Sequence, residues 1–212
     1  MKNSINSGAY GWRHQHWLKS FYPEDLPVNG TEDWRLSYYS NEFNTVMVPF
    51  NYWQSGNAVD CEGWLNDVND DFQFFVECHK SMLEQLSAVE LADYLKILQP
   101  QLSGLVFLQA KRSVKEEFTP VIDALGVEVF ESVPVFDSMG QQVRQLDNPF
   151  SSSLMILEND LSDLRAARTA VENIAAQWSD EQSREITMIF NQPNLKAENL
   201  GKFRSVLEIM GY

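Results

Sequence analysis

Apolar positions along the chain follow two patterns that alternate. Short, near-continuous apolar runs, such as Leu105-Val106-Phe107-Leu108 and Leu154-Met155-Ile156-Leu157, suit strands covered on both faces. They predict strands over 7–12, 45–50, 72–79, 104–110, 127–137 (as one piece or two), 153–158 and 185–191. Between them apolar residues recur at helical spacing. Ser87 and Glu90 form a capping box ahead of Leu91, Leu95 and Leu98. Ser113 with Glu116 predicts another helix start. Alternatively, Thr119 caps a helix with Pro120 at its first position, where proline is tolerated, ahead of Ile122 and Leu125. From Leu164 one face runs through Ala167, Val171, Ile174 and Trp178. Asn194 is the expected cap of a last helix carrying Leu200, Phe203, Leu207 and Met210, with Gly211 as its stop. Thr31 is the expected cap of an early helix through Tyr38 and Tyr39.

About seven or eight strands alternating with at least five helices predict an α/β protein with mainly parallel strands. An open doubly wound sheet and a closed barrel both fit. A β/α barrel usually runs to ~250 residues. This chain has 212, so a barrel here is expected to lack helices or to stay incomplete. No repeat, low-complexity tract or long linker divides it, and it reads as one domain over 1–212.

Composition narrows the function classes. A hydrophobic content of 44% is that of a folded chain. No apolar run reaches the ~18 residues of a membrane span, and residues 1–7 lack the apolar stretch of a signal peptide. The expectation is a cytoplasmic protein with no membrane partner. Thirty acidic against sixteen basic residues give a net charge of −14, which repels nucleic acid. Two cysteines, Cys61 and Cys78, are too few for a disulfide framework or a thiolate metal site. Cys78, in an apolar run, reads as a buried small hydrophobe, and Cys61 reads as a polar-loop residue. His14 and His16 form an isolated His-x-His, and three histidines in all supply no rich ligand set. Neither a Gly-rich phosphate loop nor a G-x-S-x-G nucleophile elbow occurs. No cofactor and no metal is expected.

The segment Gly8-Ala9-Tyr10-Gly11-Trp12, then Trp17 and Phe21-Tyr22-Pro23, then Leu36 to Tyr39 running into Phe43-Asn44-Thr45-Val46, resembles the opening of the YecE-like family, a domain of unknown function. Phe72-Gln73-Phe74, Gly104 through Phe107 with Gln109, and Phe190-Asn191 extend the resemblance. It is dense over about the first 80 residues and resumes near the end. It implies a TIM-like β/α barrel without an established activity. The departures bear on function. Met47 stands where the family pattern has Glu, Pro49 where it has Asn, Glu77 where it has Lys, and Gln192 where it has a second Asn. The polar positions most suited to family chemistry are thus largely replaced.

In a β/α barrel the site lies at the C-terminal ends of the strands. Strand alternation puts Gln73, Phe75, Glu77 and His79 on one face. If that face meets the barrel axis, Glu77 and His79 line the mouth, where a carboxylate beside an imidazole suits acid–base work. Glu158 is a candidate second carboxylate, as in sugar hydrolysis. Glu77, His79 and Glu158 are therefore the catalytic candidates. Trp12, Trp53, Gln109, Lys111, Asp137 and Asn191, which follow or end strands, are the ligand-binding candidates. Lys111, with Arg112 and Lys115, stands where a helix should begin, a place suited to phosphate. Two readings of function follow. One is a diverged module that binds a small ligand or regulates a partner protein. The other is a barrel enzyme acting on a small sugar-like or phosphorylated substrate. A third, structural reading is association through an apolar face that a missing barrel helix leaves exposed.

Overall fold

Each predicted apolar run becomes a strand, with ends shifted by a few residues. The computed structural model describes residues 4–29, 32–53, 60–108, 112–136, 142–147, 152–158, 161–175 and 185–212. In chain order the strands are β1 (Ser4–Tyr10), β2 (Val28–Asn29), β3 (Glu32–Asp33), β4 (Thr45–Val48), β5 (Gln73–Glu77), β6 (Leu102–Phe107), β7 (Val129–Phe136), β8 (Gln142–Asp147), β9 (Ser152–Leu157) and β10 (Glu185–Phe190). β2 and β3 form a small antiparallel hairpin of their own. The other eight close into a barrel in the order β1-β10-β9-β8-β7-β6-β5-β4. Seven of these run parallel, and β8 is antiparallel to both neighbours.

The helices are α1 (Arg35–Ser40), α2 (Cys61–Asn66), α3 (Lys80–Leu83), α4 (Ala88–Leu98), α5 (Arg112–Leu125), α6 (Leu164–Ala175) and α7 (Ala197–Met210). Among the described residues no helix joins β7 to β8 or β8 to β9. The reversed strand needs only short connections, so the ring of eight strands is complete while its helical coat is not. A barrel of 212 residues is reached in this way.

The seam between β1 and β4 is the shortest, with Ala9 paired to Val46 and Tyr10 to Met47. Gly8 explains its tightness: a Cβ there would stand 2.1 Å from the Thr45 carbonyl oxygen. The Tyr39 hydroxyl fills the gap in the ladder. It accepts from the Ala9 N–H at 2.9 Å and donates to the Thr45 carbonyl at 2.8 Å.

Two apolar layers result. Met47, Phe75, Val106, Phe130, Leu154, Ile156 and Ile189 fill the barrel interior. The second layer lies between strands and helices and includes Trp12, Trp17, Tyr22, Tyr39, Trp53 and Trp64.

The local signals fare unevenly. The capping box is present: the Ser87 hydroxyl accepts from Glu90 N–H at 3.2 Å, and Glu90 accepts from Ser87 N–H at 2.9 Å. α5 corrects the expected start at Thr119, because the helix begins at Arg112 and carries Pro120 inside it. Lys196, not Asn194, occupies the N-cap of α7. Gly211 ends that helix in the left-handed conformation, φ 91°, as expected. Cys61 is the first residue of α2, not part of a polar loop, and it is buried. Both cysteines are free. Thr31 and Trp178 lie outside the described residues.

Candidate functional site

Registers between neighbouring strands define a ring of residues at the C-terminal mouth. Tyr10 pairs with Met47, Met47 with Phe75, Glu77 with Val106, and Val106 with Phe130. Met47, Phe75, Val106 and Phe130 belong to the interior layer, so Tyr10 and Glu77 face the axis with them. Glu77 stands one layer above Phe75 and is only 6% exposed.

Its carboxylate has partners. The Tyr10 hydroxyl donates a short hydrogen bond to Glu77 Oε2. The Phe50 N–H donates to the same oxygen at 3.0 Å, from the 3-10 turn Phe50–Trp53 that follows β4. Burial first, and then the Glu77 carboxylate, push the Tyr10 phenol far above its ordinary value, so Tyr10 is held as a donor. The carboxylate thus sits on an apolar plug, bound from above by a loop and from the side by a phenol.

His79 takes another course. It stands two residues past Glu77, beyond the end of β5, and is exposed. Its Nδ1 accepts from the Ser81 N–H at 3.2 Å and lies 2.8 Å from the Ser81 hydroxyl, capping α3. Its ring stacks on Phe50 with centroids 4.3 Å apart. Glu158 follows β9 and is exposed. Asn191 follows β10, half-buried, with its N–H donating to the Leu157 carbonyl at 2.9 Å.

Trp12 and Trp53 are 1% and 4% exposed, so neither ring is open to a ligand in this structure. Trp12 meets Tyr52 and Trp64 edge-on at 4.8 and 5.2 Å, and Trp53 packs on Trp64 at 5.7 Å. Among the described residues the Trp53 indole nitrogen is buried without a hydrogen-bond partner, as is the Gln192 side-chain nitrogen after β10. Gln109, Lys111 and Asp137 lie outside the described residues.

Three mouth residues stand outside the site candidates drawn from the sequence: Tyr10, Phe50 and Tyr52. Tyr52 accepts from the N–H groups of Trp12 and Arg13 at 3.1 and 2.9 Å, and the Arg13 guanidinium lies 4.6 Å from its ring centre. These bonds fold the loop after β1 onto the turn after β4. Gly11 lets the loop after β1 take this course, with φ 79°.

His14, in the same loop, is held well below its ordinary value, at about 4, by burial and then by the charge of nearby His16. The two rings are 5.3 Å apart. Among the described residues no group of three or more His, Cys, Asp or Glu side chains is placed to hold a metal. No described helix is long and apolar enough to cross a membrane.

Comparison with known proteins adds the following. The family model described as "Protein of unknown function DUF72" matches residues 6–197. A solved structure of a DUF72 family protein from Thermotoga maritima superposes with a TM-score of 0.63 at 14% identity, covering 97% of this chain and 100% of that one. A DUF72 family protein from Enterococcus faecalis superposes with a TM-score of 0.57 at 14% identity, covering 96% of this chain and 95% of that one. At such identities the likeness is one of fold. No curated protein matches the chain.

Proposed function

The chain belongs to the DUF72 family, whose function is unknown, and from that premise we propose that it is a diverged small-ligand-binding or regulatory module rather than a working enzyme. The observation that carries this reading is the state of the acid–base candidates. The Glu77 carboxylate already accepts from Tyr10 and Phe50, and the His79 ring caps α3 and stacks on Phe50. A base must come within hydrogen-bond reach of the proton it takes, and these two groups are engaged elsewhere. The Met47 side chain beneath them is fully buried and apolar. The Gln192 side-chain nitrogen in the segment after β10, buried without a partner among the described residues, favours a ligand that offers an acceptor oxygen.

One observation favours the enzyme alternative. Glu77 is a nearly buried carboxylate in contact with a phenol, an arrangement suited to proton transfer. On that reading the substrate is a small sugar-like or phosphorylated compound.

The test is a thermal-shift screen of the protein and its Glu77→Gln variant against sugars, sugar phosphates, nucleotides and divalent metals. A ligand at ~100 times its dissociation constant stabilises by about 2.7 kcal/mol, a rise of roughly 5–10 °C for a domain of this size. A hit that is not turned over supports the module. Turnover of the hit that Glu77→Gln abolishes, with the fold retained, establishes the enzyme instead.

A further inference from the structure

The opposite end of the barrel is open where β/α barrels are ordinarily closed by packing. In this fold the C-terminal face carries the chemistry and the N-terminal face serves stability. Here the lowest inward layer is polar. Asn6, Thr45, Gln73 and Glu185 meet there. Asn6 donates to Gln73 Oε1 at 3.3 Å and to Glu185 Oε1 at 2.8 Å. Gln73 donates to Glu185 Oε1 at 3.3 Å, and the Thr45 hydroxyl to Gln73 Oε1 at 3.2 Å. This network covers one half of the opening, over β1, β4, β5 and β10.

Over β6 and β7 the opening leads into a cavity of about 390 Å³, within the size range of small-molecule sites. Its floor is Phe75 and Phe130, whose rings meet edge to face at 5.7 Å. Gly104 keeps those rings in place, since a Cβ there would stand 2.4 Å from the Phe130 ring. The walls bring Thr187, Ser103, Glu128 and Glu185.

Two features mark the cavity as built for a ligand. Thr187 is only 4% exposed and lines the cavity. Its hydroxyl can donate and accept a hydrogen bond, so a ligand group in the cavity can pair with it. Among the described residues both bonds that orient Glu185 fall on Oε1, which leaves Oε2 for a ligand.

Charge selects the ligand class. Among the described residues that line the cavity, Glu128 and Glu185 are carboxylates and none is Lys, Arg or His. The whole chain adds a field of net charge −14, which concentrates cations. Aromatic rings at the floor attract cations and alkyl groups alike. We propose that this N-terminal cavity binds a small organic ammonium ion, its charged head at Glu185, its hydrocarbon stem on Phe75 and Phe130, and a hydroxyl or amine at Thr187. The site is separate from the mouth at the other end of the barrel.

Three probes of the same length and different charge test it: aminopentanol, pentanediol and hydroxypentanoate, titrated calorimetrically at low salt. The expected result is saturable one-to-one binding of aminopentanol, about tenfold or more tighter than pentanediol, and none of hydroxypentanoate. Glu185→Gln weakens aminopentanol by about tenfold with the melting temperature of the free protein retained. Thr187→Val, a second variant of similar volume, weakens it by a smaller factor. Pentanediol binding as tightly as aminopentanol overturns the charge assignment. Aminopentanol binding that Glu185→Gln leaves unchanged reduces the effect to attraction by a polyanion, and the absence of saturable binding in the millimolar range overturns the site.

Discussion

His14 shows how far one buried side chain ties stability to pH. Its ring packs at a tilt on Trp17 at 4.3 Å, and among the described residues its Nε2 is buried without a partner. Protonation would place an unpaired N–H⁺ there, so burial, and then the charge of His16, lower its value to about 4 from 6.5. The unfolded chain therefore binds the proton more tightly than the fold. Stability from this group is complete above about pH 6.5, falls through the interval down to about pH 4, and is gone below it. The full effect is of the order of 3 kcal/mol. Urea unfolding at pH 7 and pH 4.5 is expected to show the loss, and His14→Phe is expected to flatten the part of the profile due to this residue. An unchanged profile in the variant would assign the acid sensitivity to the carboxylates. The residue scale also sets the limit of sequence reading at the mouth. Tyr10 and Glu77 are 67 positions apart and meet only because β1, β4 and β5 are adjacent in the ring. Trp12 directly follows a strand, which suggests a place at the mouth, yet its ring has an outer aromatic layer to join and is buried there.

At the scale of elements, the signals that are short and local are the ones that translate directly. The α4 box is exposed, and both of its reciprocal bonds form. Ser87→Ala is expected to cost about 1 kcal/mol, read as a lower urea midpoint with an unchanged slope. No loss would mean that packing of Leu91, Leu95 and Leu98, all fully buried, determines the helix end by itself. Apolar runs translate as well, since a strand buried on both faces has little room for polar residues. β8 shows the converse. The strand reads Gln142-Val143-Arg144-Gln145-Leu146-Asp147, mostly polar, so no apolar run announces it. Its pairing with β7 and β9 comes from topology. Pro120 misleads for a different reason. Proline is most at home in a first turn, but tertiary packing of Phe118, Val121 and Leu125, all buried, carries α5 through it.

For the whole molecule the governing quantity is charge. Among the described residues the ion pairs are on exposed side chains, for example Lys19–Glu24, Arg168–Glu172 and Arg204–Glu42, and such pairs contribute about 0–1 kcal/mol each. A net charge of −14 acts the other way, as self-repulsion that the unfolded chain relieves by expanding. Salt screens both, with a Debye length of ~30 Å at 0.01 M and ~8 Å at 0.15 M. Repulsion is summed over the whole surface and reaches farther than the pairs, so it loses more. The melting temperature is expected to rise by a few degrees over that interval, measured by calorimetry at pH 7. The same increase in salt is expected to weaken an ammonium ion at the N-terminal cavity, because the field that concentrates the cation is the field being screened. Stability and cation binding should therefore respond to salt with opposite signs in one preparation. A melting temperature that falls with salt would show that the surface pairs outweigh the net charge. Cation binding insensitive to salt would place the recognition in the aromatic floor and Thr187 rather than in Glu185.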